Sequence, residues 1–258
     1  MYTTNSLDIM TGAGPSKGYE EGWLFDNLDM MNGSPPCQPS YSSNDDVRTG
    51  LIRGTISPYV LGDYEQEGSL YLPKAQAVNI TLPPRFLSCD EARKMEDPTA
   101  GVHHFVYDYR LSTIWRNPLP CFKRYSHFSC TLGVDFSMFN EQQAIPISVM
   151  NLIKNRYMTC AFQQHGLDAI PTFSFGHPAL ETYWYDGIPE YSQVALCNII
   201  IGKTQAERDL RRYAIEGLVR HKHPTVLIVY GRPLAFDPGV EVRFYEGKLS
   251  KIKQTTTK

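Results

Sequence analysis

The sequence predicts an α/β protein with a mainly parallel sheet and alternating helices, either (β/α) barrel-like or a partial barrel. Three observations carry this. Runs such as Val194–Ile201, broken only by Asn198, and Thr225–Tyr230 are almost entirely apolar, the pattern of parallel strands buried on both faces. They alternate with segments of helical period. Several strands end in a polar residue or glycine, which in a barrel would gather at one rim. An open doubly wound sheet obeys the same pattern and stays as the alternative.

Residues 1–50 read as an extended polar arm rich in Gly, Ser, Pro, Asn and Asp, with one amphipathic insert at Trp23–Met31. Such tracts bury too little surface to offset their ordering entropy. Residues 51–85 carry short β-prone runs, Leu51–Ile56 and Ala77–Leu82, between turn signals. The α/β domain proper is expected over 86–238. Ser88 and Glu91 have capping-box spacing and open a short helix to about Glu96. Strands follow at His103–Tyr107 and Phe128–Val134.

Pro146 sits just inside the start of the next helix, where its missing donor costs nothing. That helix shows an apolar stripe of Met150, Ile153, Tyr157 and Ala161, and Gly166 ends it. Ala169–Gly176 is a strand, and so is Val194–Ile201. Thr204 and Glu207 then cap a helix whose stripe is Ala206, Leu210, Tyr213, Gly217 and Leu218. Thr225–Tyr230 closes the domain, and 239–258 reads as a loose tail.

The chain of 258 residues is 42% hydrophobic, enough for a large core. Its 25 basic and 27 acidic residues leave a formal charge of −2. This balance gives nucleic-acid binding no support, although a local patch between Lys203 and Arg220 keeps that partner open. Six scattered cysteines with no C-x-x-C pair fit reduced, buried thiols. Without an apolar span or a signal-peptide pattern, no membrane role is expected. The expected compartment is the cytoplasm, the host's if a phage encodes the chain.

In parallel α/β architectures ligands bind beyond the strand carboxyl ends. Asp108 and Asp135 end consecutive strands there, and with Ser137 they are the candidate catalytic residues. Two facing carboxylates can hold a cation or divide into general acid and base. Each can equally cap its own turn. Ser174, His177, Lys203, Tyr230 and Arg232 are candidate ligand contacts at the same rim, with Trp115 nearby. The aromatic run Thr182–Gly187 offers Trp184 as part of a lid that stacks a ring. Gly202-Lys203-Thr204 lacks the glycines of a phosphate loop. His103 and His104 alternate to opposite strand faces and so make a poor metal pair. No cofactor follows from the residues.

The series His104-Phe-x-x-Asp108-Tyr-Arg, Trp115-x-x-Pro118, Asp135-Phe-Ser137, Asn151, Tyr157, Gly166, Ile170-Pro-Thr172, Gly187, Gly217, Pro224 and Tyr230-Gly231 resembles the family called domain of unknown function 4417. The resemblance covers about 103–232. It implies a bacterial, phage or plasmid origin and no activity. It departs at the Gly-Val before Asp135 and at Phe175, where the family usually has tryptophan. Two functions remain. One is an enzyme or small-ligand, nucleotide-handling protein with a polar rim site. The other is a structural or interaction protein, such as a phage assembly component, with the N-terminal arm contacting a protein partner.

Overall fold

The computed structural model describes residues 58–138, 143–200 and 202–247. The arm 1–50, the run Leu51–Ile56, Cys37 and residues 248–258 lie outside these.

The described residues open with a 3₁₀ turn, Pro58–Val60, and a small antiparallel pair, β1 (Gln66–Glu67) and β2 (Leu72–Pro73). Then come β3 (Phe86–Ser88), α1 (Cys89–Ala92), β4 (Gly101–His104), α2 (Asp108–Arg116), α3 (Leu119–Tyr125) and β5 (Cys130–Val134). The long helix α4 (Ile145–Gln164) leads to β6 (Ala169–Ile170) and β7 (Thr172–Phe173). A 3₁₀ turn (Pro178–Leu180), α5 (Glu181–Trp184), β8 (Gln193–Asn198), α6 (Gln205–Lys222), β9 (Val226–Gly231) and β10 (Val242–Glu246) complete it.

All pairings from β3 onward are parallel. The strands form two sheets, β3-β4-β5-β6 and β7-β8-β9-β10. Only Pro171 separates β6 from β7, and its ring supplies no N–H to a ladder. The path 169–173 therefore belongs to both sheets, and the strands lie side by side in chain order.

Helices cover one face of this sheet. Leu87, Val102 and Ala169 pack outward against α2, α3 and α4 residues such as Leu111, Phe122 and Phe162. Phe173, Val194, Leu196, Leu227 and Val229 pack outward against Leu152, Ala214 and Leu218. The other face packs on itself. Phe86, Cys130, Leu132, Ile170, Ala195, Ile228 and Tyr230 form one cluster, joined by Tyr245 of β10 and by Val78, Ile80 and Leu82. Side chains of the first and last strands meet, with Phe86 and Tyr245 edge to face at 4.8 Å. The Tyr245 hydroxyl also donates to the Pro83 carbonyl at 2.7 Å. Among the described residues no backbone ladder joins β3 to β10. Helices on one face and a self-packed interior on the other are the barrel-like arrangement, left open at one seam.

Local signals account for much of this. Both capping boxes form, at Ser88–Glu91 and Thr204–Glu207. Pro146 lies in the first turn of α4, and Gly166 follows it at φ +76°. His103 and His104 do point to opposite faces. His103 stacks on Tyr230 across the interior at 4.1 Å, whereas His104 lies among the helices, its Nδ1 2.8 Å from the Leu132 carbonyl. The five described cysteines are free, and burial pushes Cys89, Cys130, Cys160 and Cys197 up to about 12.

Several expectations need correction. The segment read as a loose tail supplies β10. Ala77–Leu82 joins no ladder; its backbone is instead held by Ser192 and Gln193 side chains. Two helices, α2 and α3, occupy a stretch with no sequence reading. The buried side of α4 is Asn151, Leu152, Asn155, Arg156, Thr159 and their neighbours; of the expected apolar stripe Ala161 is fully buried, while Met150, Ile153 and Tyr157 are half-buried. On α6 the buried face is Ala214, Ile215, Gly217 and Leu218, while Ala206 and Tyr213 are exposed.

Gly187 ties these parts together. Its φ is +78°, its N–H donates to Glu67 at 2.7 Å, and a Cβ there would lie 2.6 Å from the Pro73 carbonyl oxygen. Gly187→Ala combines backbone strain with a clash against main chain. It should cost about 2–3 kcal/mol, read as a lower urea midpoint at unchanged slope.

Candidate active site at the strand carboxyl ends

Each rim residue is placed by the strand or helix it terminates. Asp135 and Ser137 follow β5, Ser174 follows β7, and Asp108 is the first residue of α2 just beyond β4. Neither aspartate caps its own turn. The Asp108 carboxylate crosses to the next loop and accepts from the Ser137 hydroxyl at 2.8 Å and from its N–H at 3.1 Å. Asp135 accepts from the Ser174 hydroxyl at 2.5 Å. Loops after successive strands are thus stitched side chain to side chain.

The second layer comes from α4. Asn151 donates to the Ser137 carbonyl at 2.8 Å. Asn155 closes a two-way bond with the Phe136 backbone, accepting at 2.7 Å and donating at 3.1 Å, and lies 3.3 Å from the Ser174 hydroxyl. Lys154 sits over the Phe136 ring at 4.8 Å. Burial pulls its ammonium below the usual range, with the charge of Asp108 opposing. From α6, Arg211 donates to the Asn198 side chain at 3.0 Å and to the Cys197 and Ile200 carbonyls, with its guanidinium over Phe175.

Asp135 is the electrostatic centre of this group. Burial pushes its carboxyl up to about 6, and the negative charge of Asp108 adds to the rise. The Ser174 hydrogen bond and the charges of Arg211 and Arg156 pull the other way. A carboxyl titrating there can hold or release a proton near neutral pH.

The structure thus brings Asp108, Asp135, Ser137 and Ser174 to the rim as two hydrogen-bonded pairs, Asp108 with Ser137 and Asp135 with Ser174. It does not bring in the others. Trp184 is fully buried among Leu72, Leu152 and Phe173, so the expected lid is core, and its Nε1 has no partner. Trp115 is buried in the helix layer. Tyr230 stacks with His103 and Phe105 inside the sheet. His177 spends its Nδ1 accepting from the Ala179 N–H at 3.1 Å. Lys203 and Arg232 are exposed; the charge of Lys203 acts on Glu207, and the Lys203 and Arg232 backbones are hydrogen-bonded.

A cavity of about 640 Å³ lies elsewhere, lined by Tyr64, Lys74, Gln76, Gln163, Gln164 and Glu190. It adjoins the C-terminal end of α4 and the segment before β8, the end of the sheet opposite the rim. Its polar lining is engaged within the chain: Gln163 holds both backbone groups of Gln76, and Tyr64 donates to Gln164. Size favours that cavity, but chemistry favours the rim. Among the described residues no group of three or more His, Cys, Asp or Glu side chains could hold a metal ion. No described helix is long and apolar enough to cross a membrane.

The model of the family described as Domain of unknown function (DUF4417) matches residues 64–244, which contain every described strand except the last two residues of β10. The chain belongs to the DUF4417 family. It is similar to the Gene 1 protein of Mycobacterium phage D29, at 29% identity over 132 residues, covering 51% of this chain and 48% of that protein. The Gene 1 protein of Mycobacterium phage L5 is 28% identical over 132 residues, 51% of this chain and 57% of its own length. The chain spans about half the length of the curated relatives it matches. No solved structure matches it. The DUF4417 match begins well before the strand at His103, so β1, β2 and the extended segment under β8 are part of the family's domain.

Sequence reasoning missed Asn151, Lys154 and Asn155 as site components. A signal was present: polar residues recur at 148, 151, 155 and 159 with helical spacing, marking a buried polar face.

Proposed function

We propose that this DUF4417 domain binds a small polar ligand at the strand carboxyl ends and exchanges a proton with it through Asp135. The supporting observation is a carboxyl titrating at about 6, held by Ser174 and backed by Asn155, beside a second carboxylate. Asp135 is the general acid or base, Ser174 its orienting donor, and Asp108 with Ser137 the neighbouring polar contact. Lys154 and Arg211 supply the positive charge that an anionic group on the ligand would meet.

A ligand that binds only the folded state raises its stability. A panel of sugars, nucleotides and small acids should therefore contain a compound that raises the melting temperature, with a shift that changes with pH around 6. Asp135→Asn should remove that pH dependence, and Ser174→Ala should weaken the shift roughly tenfold in ligand concentration. A panel that leaves the wild type unmoved defeats the reading.

A second reading is an interaction or assembly role through residues 1–50, whose sequence reads as a polar arm with the amphipathic insert Trp23–Met31. It predicts that a complex formed by the full chain disappears when residues 1–50 are deleted. Unchanged association on size exclusion would count against it.

A further inference from the structure

The lid expected at Thr182–Gly187 is buried, yet the rim does carry exposed aromatic rings in another place. Tyr107 and Tyr109 flank Asp108 at the start of α2. They are 72% and 67% exposed, and Tyr107 is the most exposed large apolar side chain among the described residues. Their rings stack, with centroids 6.0 Å apart and planes 16° from parallel. Tyr109 is also held in place. Arg110 donates to the Tyr109 hydroxyl at 3.0 Å, lies 5.5 Å over its ring, and pairs with Asp90.

Two large rings left in water forgo the burial that the neighbouring Phe105 and Leu111 achieve. Stacked, ordered rings cost little further entropy when a third ring lies on them. The remaining polar groups narrow that ring's chemistry. Asp108 stands between the two tyrosines in sequence, and an ionised carboxylate only accepts hydrogen bonds. Asp108 and Asp135 would thus favour a ring edge that carries N–H donors.

We propose that Tyr107 and Tyr109 form a stacking platform for a nucleobase, preferentially one bearing an amino group, whose polar edge faces the aspartates. This deepens the rim reading and rests on the rim taking a small polar ligand. A nucleobase can arrive as a mononucleotide or within a single strand. The chain's near-neutral charge favours the mononucleotide, since single-strand binders track the backbone with a basic groove.

The test is calorimetric titration of the full chain with guanosine monophosphate, uridine monophosphate, ribose 5-phosphate and a short oligothymidylate. The variants are Tyr107→Ala/Tyr109→Ala, Tyr107→Phe/Tyr109→Phe and Asp135→Asn. Because both tyrosines are exposed, the alanine pair should fold as the wild type does. Guanosine monophosphate should bind tighter than the uridine compound, and ribose 5-phosphate weakest. The alanine pair should lose roughly tenfold or more in affinity while the phenylalanine pair keeps it. Salt-sensitive, tighter binding of the oligothymidylate that needs the same tyrosines would support the platform, assign its source to single strands and overturn the preference for an amino group.

Absence of any nucleotide binding would overturn the platform, as would ribose 5-phosphate binding equal to the nucleotide's or full affinity in the alanine pair. If a compound without a planar ring raises the melting temperature only when Asp135 is intact, the rim reading stands without the platform. If nucleotide binding needs the tyrosines but ignores Asp135→Asn, the platform stands and the proton-exchange role of Asp135 falls.

Discussion

Arg156→Met should destabilise the fold by about 3–5 kcal/mol, a large part of the 5–15 kcal/mol that a domain usually has. Arg156 is 2% exposed and its guanidinium donates to three carbonyls, those of Asp186 at 2.6 Å, Thr172 at 3.0 Å and Trp184 at 2.8 Å. These come from β7, from the last residue of α5 and from the segment just after it, so one side chain on α4 fixes two other parts of the chain. Burial pulls its pKa down to about 10, which leaves it charged at neutral pH. Methionine fills similar space but strands all three acceptors, and each stranded buried group costs about 1–3 kcal/mol. Arg156→Lys should fall between, because an ammonium on a shorter stem cannot match three acceptors in a fork geometry. For a unit of this size the methionine variant should melt roughly 10 °C lower. A loss of under about 1 kcal/mol in denaturant would mean the carbonyls find other donors.

Asp135→Asn should act in the opposite direction, and only above a defined pH. The folded carboxyl titrates at about 6 against 3.8 unfolded, so between those values the folded chain binds the extra proton. Stability therefore falls as pH rises through about 6. The accumulated cost at neutral pH is about 3 kcal/mol at one pKa unit per 1.36 kcal/mol. Asparagine removes the charge and can still accept from Ser174. The variant should therefore be about 2–3 kcal/mol more stable than wild type at pH 7.5 and equal to it near pH 4.

His104 supplies a counter-trend in the wild type. Burial lowers it from 6.5 to about 4, so the unfolded chain binds the extra proton in that window and stability is lost as pH falls through it. The two groups offset each other between about 4 and 6, and the wild-type profile should be nearly flat there. Asp135→Asn should unmask the His104 slope. Denaturation midpoints at pH 4, 5, 6 and 7.5 check both statements, and parallel profiles for the two proteins would refute the assignment to Asp135.

Strands β4 to β9, both capping boxes and the ends of α4 were legible because local chemistry sets them. Short apolar runs bounded by turn residues fit buried strands, and Ser88 or Thr204 followed by glutamate at the third position caps a helix wherever it lies. The strand-end rule also picked out Asp108, Asp135, Ser137 and Ser174, which the fold gathers. Failures came where a distant partner decides. Val242–Glu246 is mostly exposed and polar enough to pass for a tail, and only pairing with β9 makes it a strand. The apolar stripe of α4 misled because its buried face carries Asn151, Asn155 and Arg156, whose partners are backbone groups far along the chain. Trp184 and Tyr107 exchanged places for the same reason: aromatic content is visible in sequence, but which rings the core consumes is not.

The chain-order sheet has a consequence for synthesis on the ribosome. Each strand from β4 onward finds its neighbour already made when it emerges, so the sheet can lengthen from one end without waiting for distant sequence. The seam contacts of Tyr245 with Phe86 and Pro83, like the Lys222–Glu67 and Thr225–Asn79 contacts, wait for both ends of the domain. A product that stops short of β10 would carry every rim residue yet leave the Phe86 side of the interior uncovered. The last strand thus closes the interior only after every rim residue is already in the sheet.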